Sequence, residues 1–366
     1  MTHPDKVEPA IVQSSKNLGA LAIQLQWVEG DIHTAEKSFL KINQQAAPID
    51  PVELKLLESR KKPNCIAARA IVKSGKGHKY WSRFSDETQN FIQDTAREIN
   101  TILFSPKLKS PIKTLDLPIA GKQYSPQTLP LILDFINITH SIPLDFKESL
   151  GDDEEGGKTL SFLRTAKKIA QRINSTHEGS LGLHPIIYLY SHEGRFKVSS
   201  FYSIVIFVME LEKLNKYNVF TKNRRVFEDA IYEYDYVVQQ IFRKYRSAFN
   251  SAKPISDFYF KLLEYLDQGK SQDESIKFIA NDTAFKYLSF IQEKSEISSV
   301  NFSRERKSAV YIREVISTAP KCKICNGFIH TNSISIDHVE RKKNGGLGNV
   351  ENGQISHPYC NTTYKN

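Results

Sequence analysis

Three cysteines and one histidine late in the chain have the spacing of a metal site. Two residues lie between Cys322 and Cys325 in the chain, and two lie between His357 and Cys360. A tight turn of this kind aims both side chains at one point, so two such pairs can surround a tetrahedral ion. Three thiolates and an imidazole fill the shell, which is typical of a structural Zn²⁺ site. The alternative is two reduced knuckles that have lost their metal.

The remaining cysteine usage supports metal over disulfide. Only Cys65 lies outside the late cluster, and a buried small apolar side chain is its simplest role. The first twelve residues are polar with two prolines, unlike a secretory signal peptide. The longest apolar run, Phe201–Met209, is about half the length that a bilayer requires. We therefore expect a cytoplasmic protein without a membrane partner, in which clustered cysteines bind metal.

Polar residues between the two pairs could carry hydrolytic chemistry. Ile334–Val339 alternates like a strand, which would turn Asp337 and His338 to opposite sides. A glycine-rich loop follows, and a final helix is expected over Cys360–Lys365. The segment therefore predicts two strands, a loop and a helix around a metal.

The order CxxC, IDHV, GG, N and HxxCN resembles the HNH endonuclease family, whose fold is the ββα-metal or His-Me finger. The resemblance covers residues 320–366, and its three signature positions correspond to His338, Asn352 and Asn361. His357 stands where the usual form has the first cysteine of a second CxxC.

Two departures from the family pattern affect packing rather than chemistry. The proline common after the Asp-His pair is missing, since Val339 follows His338 here. The leucine common after the middle asparagine is Gly353. A module that binds DNA without cleaving it is the outcome these departures leave open.

The resemblance implies a role for each polar residue. Asp337 and Asn361 would be ligands of one catalytic Mg²⁺ or Mn²⁺, which prefer oxygen donors. His338 would be the general base, because a neutral imidazole can take a proton from water. Asn352 would orient the loop that carries His338, through hydrogen bonds to backbone. Three basic residues would contact phosphate, or form a solvated loop: Arg341, Lys342 and Lys343.

The charge distribution predicts a nucleic-acid partner. The net charge is +9, and residues 301–366 contribute ten Lys or Arg against five Asp or Glu. Basic modules bind phosphate backbones largely through counterion release. A metal-dependent DNA endonuclease of prokaryotic defence or mobile elements is the favoured function. A zinc ribbon that only binds nucleic acid, and a nuclease acting mainly on RNA, are the alternatives. The partners expected besides DNA are a second copy of the chain or a partner protein of a defence system. Cutting both strands would need dimerisation or two events, because each chain offers one site.

The rest of the chain predicts a mainly α fold with an α+β N-terminal region. We expect three parts, at residues 1–150, 159–300 and 301–366, with a flexible break at Ser149–Lys158. Strands are predicted at Leu21–Glu29 and Ile66–Val72. Helices are predicted at residues 35–42, 54–58, 84–104, 128–136 and 303–316.

Two further segments carry weaker signals. Residues 35–58, with Phe39, Ile42 and Asn43, resemble ParB-like or DGQHR-type domains, which implies that residues 1–150 sense DNA or a nucleotide. Aromatic and basic residues interleave over Arg224–Phe249 and could stack bases. At helical spacing, the same pattern is more typical of a core face with a basic rim.

Overall fold

The computed structural model describes residues 8–19, 34, 38, 51–77, 80–143, 150–291 and 300–365. Proximity between Cα atoms divides the chain into two compact units, Met1–Glu58 and Ser59–Asn366. The three-part division expected from the sequence stays a prediction. Among the described residues, no helix has both the length and the apolar content for crossing a bilayer.

The described residues of the first unit include helix α1 (Pro9–Gly19), of 11 residues, and helix α2 (Pro51–Glu58), of 8 residues. Helix α2 confirms the helix predicted through Leu54–Glu58. The predicted strand Leu21–Glu29 lies outside the described residues. So does the ParB-like motif, with Phe39, Ile42 and Asn43, and so does most of the predicted helix 35–42.

The second unit is mainly helical, as predicted. Its helices are α3 (Pro63–Val72), α4 (Asp86–Phe104), α5 (Thr128–Thr139), α6 (Gly157–Ile173), α7 (Pro185–Tyr188), α8 (Val198–Lys213), α9 (Tyr217–Glu233), α10 (Asp235–Tyr245), α11 (Ala248–Asp267), α12 (Gln272–Asn281) and α13 (Arg304–Ile316). The core is aromatic: the Phe207 ring stacks on Phe227 with centroids 5.7 Å apart and meets Tyr259 edge-on. Phe227 is fully buried, so this part of Arg224–Phe249 is a core face.

The predicted strand at Ile66–Val72 is wrong, because these residues belong to helix α3. Pro63 starts the helix at its first turn, where its missing N–H costs nothing, and the alanines favour helix. Every residue from Pro63 to Ile71 is buried. A helix buried on all sides is apolar without a 3.6-residue period, so its pattern cannot be distinguished from that of a buried strand.

The predicted helices beginning near Ser85 and Ser303 are confirmed, and both serines are N-caps. The Ser85 hydroxyl accepts from the Thr88 amide at 3.3 Å, and Ser303 accepts from the Arg306 amide at 3.2 Å. The helix predicted at 128–136 is also confirmed, as α5. The starts at Ser85 and Ser303 are readable from the sequence because a cap is a local interaction.

The described part of the predicted flexible break is a folded turn instead. The Asp153 carboxylate is buried and accepts from the Gly156 amide at 3.0 Å and the Thr159 amide at 2.7 Å. The Thr159 hydroxyl also donates to it at 2.7 Å. An acidic residue here satisfies N–H groups at the start of α6. The acidic run was therefore a helix-capping signal rather than a linker.

The C-terminal segment contains a two-stranded antiparallel sheet, β1 (Ser335–His338) with β2 (Gly353–Ser356). It ends in a short helix, Cys360–Tyr364, of π type. Strand, loop and final helix therefore follow the predicted order. Hydrogen bonds tie the segment to the helical body, for example from Asn332 Nδ2 to the Ser105 carbonyl at 2.8 Å.

Candidate functional site

The four residues of the two CxxC-like pairs come together in one buried cluster. The ligand atoms of Cys322, Cys325, His357 and Cys360 all lie within 4.8 Å of one another. The first pair sits in a turn closed by the Cys322 amide, which donates to the Gly327 carbonyl at 2.9 Å. Asn326 adopts a left-handed φ of 58° inside this turn. The cluster could hold a metal ion, and its S₃N donor set fits zinc.

The imidazole of His357 is oriented for metal binding through Nδ1. Its Nε2 lies 3.0 Å from the Phe328 carbonyl oxygen. Because a carbonyl can only accept, Nε2 carries the hydrogen and Nδ1 is left with its lone pair. Nδ1 lies 3.4 Å from the Cys325 sulfur and 3.7 Å from the Cys360 sulfur. A backbone contact of this kind fixes the tautomer of a metal-binding histidine.

The three thiols affect one another's acidity. Hydrogen bonds with Cys325 and Cys360 lower the pKa of the Cys322 thiol. The contact with Cys322 is the largest cause that raises the pKa of the Cys325 and Cys360 thiols. A divalent cation would be bound by all three sulfurs as thiolates, and their protons would be released.

A buried ion pair supports the cluster from the helical body, and sequence reasoning missed it. Arg224 and Glu228 on α9 pair at 2.7 Å with side chains 1% and 0% exposed. Glu228 also accepts from the Tyr188 hydroxyl at 3.0 Å and from the Phe328 amide at 2.8 Å. Arg224 Nη1 lies 3.2 Å from His357 Nδ1. The guanidinium charge therefore offsets the net negative charge of Zn²⁺ with three thiolates.

Strand β1 places Asp337 and His338 on opposite sides, as expected from strand alternation. Asp337 is 5% exposed, whereas His338 is partly exposed. Asp337 Oδ2 accepts from Gln354 Nε2 on β2 at 2.7 Å and from Lys365 Nζ at 2.6 Å. The same ammonium donates to the His338 carbonyl. A cation therefore bridges the predicted ligand and the backbone of the predicted base.

Asn361 is held beside β1 by its amide nitrogen. Nδ2 donates to the Ser335 hydroxyl at 2.7 Å and to the Ile336 carbonyl at 3.2 Å. Both amide hydrogens are used by these contacts, so the carbonyl oxygen Oδ1 is the atom suited to a cation. Asp337 and Asn361 are 24 residues apart in the sequence. The final helix, which carries Asn361, packs on the sheet that carries Asp337.

Asn352 spans the base of the loop between β1 and β2. Its Oδ1 accepts from the Glu340 amide at 2.7 Å, and its Nδ2 donates to the carbonyls of Glu340 at 3.2 Å and Leu347 at 2.8 Å. Its own carbonyl accepts from the Val339 amide at 2.9 Å. A Cβ at Gly346 would lie 1.9 Å from the Glu340 carbonyl oxygen, so the loop requires glycine there. The backbone that follows His338 is therefore held in place by several hydrogen bonds with Asn352.

The three predicted phosphate-contacting residues differ in their surroundings. Lys342 and Lys343 are exposed on a single 3₁₀ turn, Lys342–Asn344. Arg341 is partly buried and donates to the Lys365 carbonyl. Arg341 therefore also holds the residue whose ammonium contacts Asp337.

Comparison with known families identifies this segment. Residues 322–366, about an eighth of the chain, match the model of the family described as HNH endonuclease. Searches of curated proteins and of solved structures gave no significant match. Residues 322–366 are therefore an HNH endonuclease domain, which indicates nuclease activity and contact with nucleic acid.

Proposed function

We propose that this protein is a metal-dependent endonuclease that hydrolyses DNA phosphodiester bonds. The observation that supports it best is the grouping of Asp337, His338 and Asn361 on one small sheet and helix, framed by the Cys₃His cluster. Phosphodiester hydrolysis requires a base for water and a cation for the charge that grows on phosphate. Asp337 and Asn361 would supply the cation ligands and His338 the base.

The residues around Asp337 fit a bound cation. The Lys365 ammonium lies 2.6 Å from Asp337 Oδ2 and also reaches a backbone carbonyl, so this position already attracts positive charge. Asp337 Oδ1 or Oδ2 and Asn361 Oδ1 are hard oxygen donors, which Mg²⁺ and Mn²⁺ prefer. When bound, such an ion would neutralise phosphate charge in the reaction.

His338 is proposed as the general base. It is partly exposed at the end of β1, so water and a phosphate can approach its ring. In its neutral form the imidazole takes the proton of the attacking water. Asn352 would keep this residue in position through its contacts to the backbone of the following loop.

The Cys₃His cluster is proposed as a structural Zn²⁺ site. All four ligands come from protein, which leaves no open position for water or substrate. Its ligands flank the sheet on both sides in sequence, at 322–325 and 357–360. Zinc would therefore join the two ends of the catalytic segment.

DNA as the substrate is supported by the basic surplus over residues 301–366 and by exposed Lys342 and Lys343 beside the site. The setting in defence or mobile-element biology stays a prediction. Cutting of both strands would need a second copy or a second event, because each described chain offers one site.

The decisive test is cleavage of supercoiled plasmid by the His338→Ala variant with Mg²⁺ or Mn²⁺. We expect nicking to fall by about 10²–10⁴-fold, the usual contribution of a general base, with zinc content unchanged. His177→Ala is a matched control, since His177 is an exposed histidine outside the domain.

Three outcomes separate the alternatives. Cleavage by His338→Ala at the wild-type rate would refute the catalytic assignment. Salt-dependent DNA binding by wild type without nicking under any divalent ion would favour a binding-only zinc module. Faster digestion of RNA than of DNA of the same sequence would reassign the substrate.

A further inference from the structure

A cavity of about 620 Å³ lies in the helical body, and none of the proposed nuclease residues lines it. Its walls come from the segment 120–134, from residues 196–202 and from residues 238–249. We propose that this cavity binds a nucleoside phosphate. The volume of the cavity is within the range of small-molecule sites, about 300–1,000 Å³. The inference is independent of the proposed nuclease function.

Two of its walls carry unneutralised positive charge. Lys122 and Arg246 line the cavity, are exposed, and form no salt bridge with any residue that the structure describes. Lys197 also lines it but is paired with Asp235, which is 8% exposed. The carboxylate of Asp134 is the acidic group that lines the same cavity. The surplus of positive charge in the lining favours an anionic ligand.

Three helices begin at the wall of the same cavity. The first residues of α5, α8 and α11, namely Thr128, Val198 and Ala248, all line it. The first turn of each helix presents N–H groups that have no partner within the helix. At the starts of α5 and α8 the N-cap residue makes no side-chain cap. The N–H dipoles at these helix starts add to the lysine and arginine charges in favouring phosphate.

Four aromatic side chains also line the cavity and suit a flat base. Phe196, Phe242 and Phe249 line the cavity with Tyr202, and Phe242 leaves 40% of its surface exposed although it is apolar. Tyr202 and Phe249 meet edge-on with centroids 6.4 Å apart. Stacking of a base on such a ring contributes about 1–3 kcal/mol.

A hydrogen-bonded pair, Tyr202 and Asp134, also lines the cavity. The Tyr202 hydroxyl donates to Asp134 Oδ2 at 2.9 Å, and both residues line the cavity. A carboxylate and a phenol at this position can accept from, or donate to, sugar hydroxyls or a base edge. Phosphate, sugar and base each therefore meet a suitable wall.

The ligand chemistry has two sources, a free nucleotide or one nucleotide of a DNA strand. Calorimetry on the full chain, without added divalent ions, tests both. The probes are the four ribonucleoside mono- and triphosphates, a 5′-phosphorylated single-stranded oligodeoxynucleotide, and inorganic phosphate. Binding of a free nucleotide identifies a small-molecule site. Binding of the oligonucleotide alone supports a strand subsite in the cavity only where the cavity variants weaken it, because the nuclease domain is also proposed to bind DNA. Oligonucleotide binding that these variants leave unchanged overturns the proposal.

Two exposed residues provide the variants. Arg246→Glu reverses one free charge and Phe242→Ala removes one stacking face, and each is expected to weaken binding at least tenfold. Arg243→Glu is the matched control, because Arg243 is exposed on α10, the helix that carries Phe242, but does not line the cavity. Thermal unfolding of each variant confirms that it is folded.

Three results would overturn the proposal. The first is that neither a nucleotide nor the oligonucleotide binds the wild-type protein with a Kd below about 1 mM. The second is binding unchanged in both Arg246→Glu and Phe242→Ala. The third is inorganic phosphate binding as tightly as every nucleotide, which would leave the aromatic wall without a role.

Discussion

The Lys365 ammonium lies 2.6 Å from Oδ2 of Asp337, with the two side chains 18% and 6% exposed. Arg341 holds the backbone of Lys365, and Lys365 in turn reaches the carbonyl of His338. A protein cation thus lies at the carboxylate that we propose as a metal ligand. Metal binding at Asp337 therefore has to compete with this ion pair.

Lys365→Met should tighten Mn²⁺ binding by about fivefold or more, because it removes an ammonium that contacts a largely buried carboxylate. A fivefold change corresponds to about 1 kcal/mol, the upper value for an exposed ion pair. Calorimetric titration of zinc-loaded protein with Mn²⁺ measures it. Lys343→Met, an exposed lysine on the neighbouring turn, should leave the affinity unchanged. Weaker Mn²⁺ binding in Lys365→Met would show that Lys365 assists the cation instead of competing with it.

Asn352→Ala should reduce cleavage strongly while zinc content stays at the wild-type level. The substitution removes one acceptor and two donor contacts to the loop after His338, and a hydrogen bond of this kind contributes about 1 kcal/mol. Nicking rates with Mn²⁺ and zinc analysis measure both effects. Asn344→Ala, an exposed asparagine of the same loop, is the control. A wild-type rate in Asn352→Ala would remove its proposed positioning role.

Arg224→Met should lower the free energy of unfolding by about 3–5 kcal/mol, since it leaves Glu228 charged and buried without its partner. Urea unfolding measures the loss. Arg225→Met is the matched control: its neighbouring pair with Asp229 is 29% and 41% exposed, so about 1 kcal/mol or less is expected. Equal losses in both variants would show that burial of the first pair has no energetic consequence.

Removal of zinc should expose three thiols and leave the fourth protected. Cys322, Cys325 and Cys360 would be released from the cluster, whereas Cys65 is 0% exposed in the helical core. Thiol titration before and after treatment with a zinc chelator measures the change. The Cys65→Ser variant should still release three. Three thiols reacting fully before chelation would contradict metal binding.

His330 should make stability fall as the pH is lowered. Burial lowers its pKa from 6.5 to about 4, although Asp116, 4.0 Å from Nε2, acts in the opposite direction. The neutral His184 ring lies 5.3 Å away. Below pH 6.5 the unfolded chain binds a proton that the folded chain does not, so stability is complete above 6.5 and declines towards pH 4.

The expected loss from this residue is about 2 kcal/mol between pH 7.5 and pH 5. Urea unfolding measures the free energy of unfolding of the wild type and of His330→Asn at pH 7.5 and at pH 5. The difference between the two proteins in their pH-dependent loss gives the contribution of His330, because effects of the zinc site are common to both and cancel. A contribution near zero would show that His330 is protonated in the folded protein at pH 5.

The sequence alone determined the features that depend on local spacing. CxxC and HxxC turns aim their side chains at one point, so the cluster of Cys322 and His357 with their partners was predictable before any fold was known. Serine caps such as Ser85 were predictable for the same reason. The order of strand, loop and helix around His338 follows from alternation and glycines within a single short segment.

Only the tertiary structure decided features that join distant parts of the chain. Helix α3 was mistaken for a strand because burial on all sides removes the periodicity that separates the two. Arg224 and Glu228, four apart on a helix, have the pattern of a surface pair, and only packing against Phe328 shows that they are buried.

The cavity and the position of Lys365 belong to the same class. The first residues of α5, α8 and α11 line one cavity because of how the three helices pack, and no sequence pattern predicts this arrangement. Lys365 reaches Asp337 across 28 residues because the final helix folds back onto β1. Local spacing therefore determined which residues could do chemistry, and long-range packing determined which charges surround them.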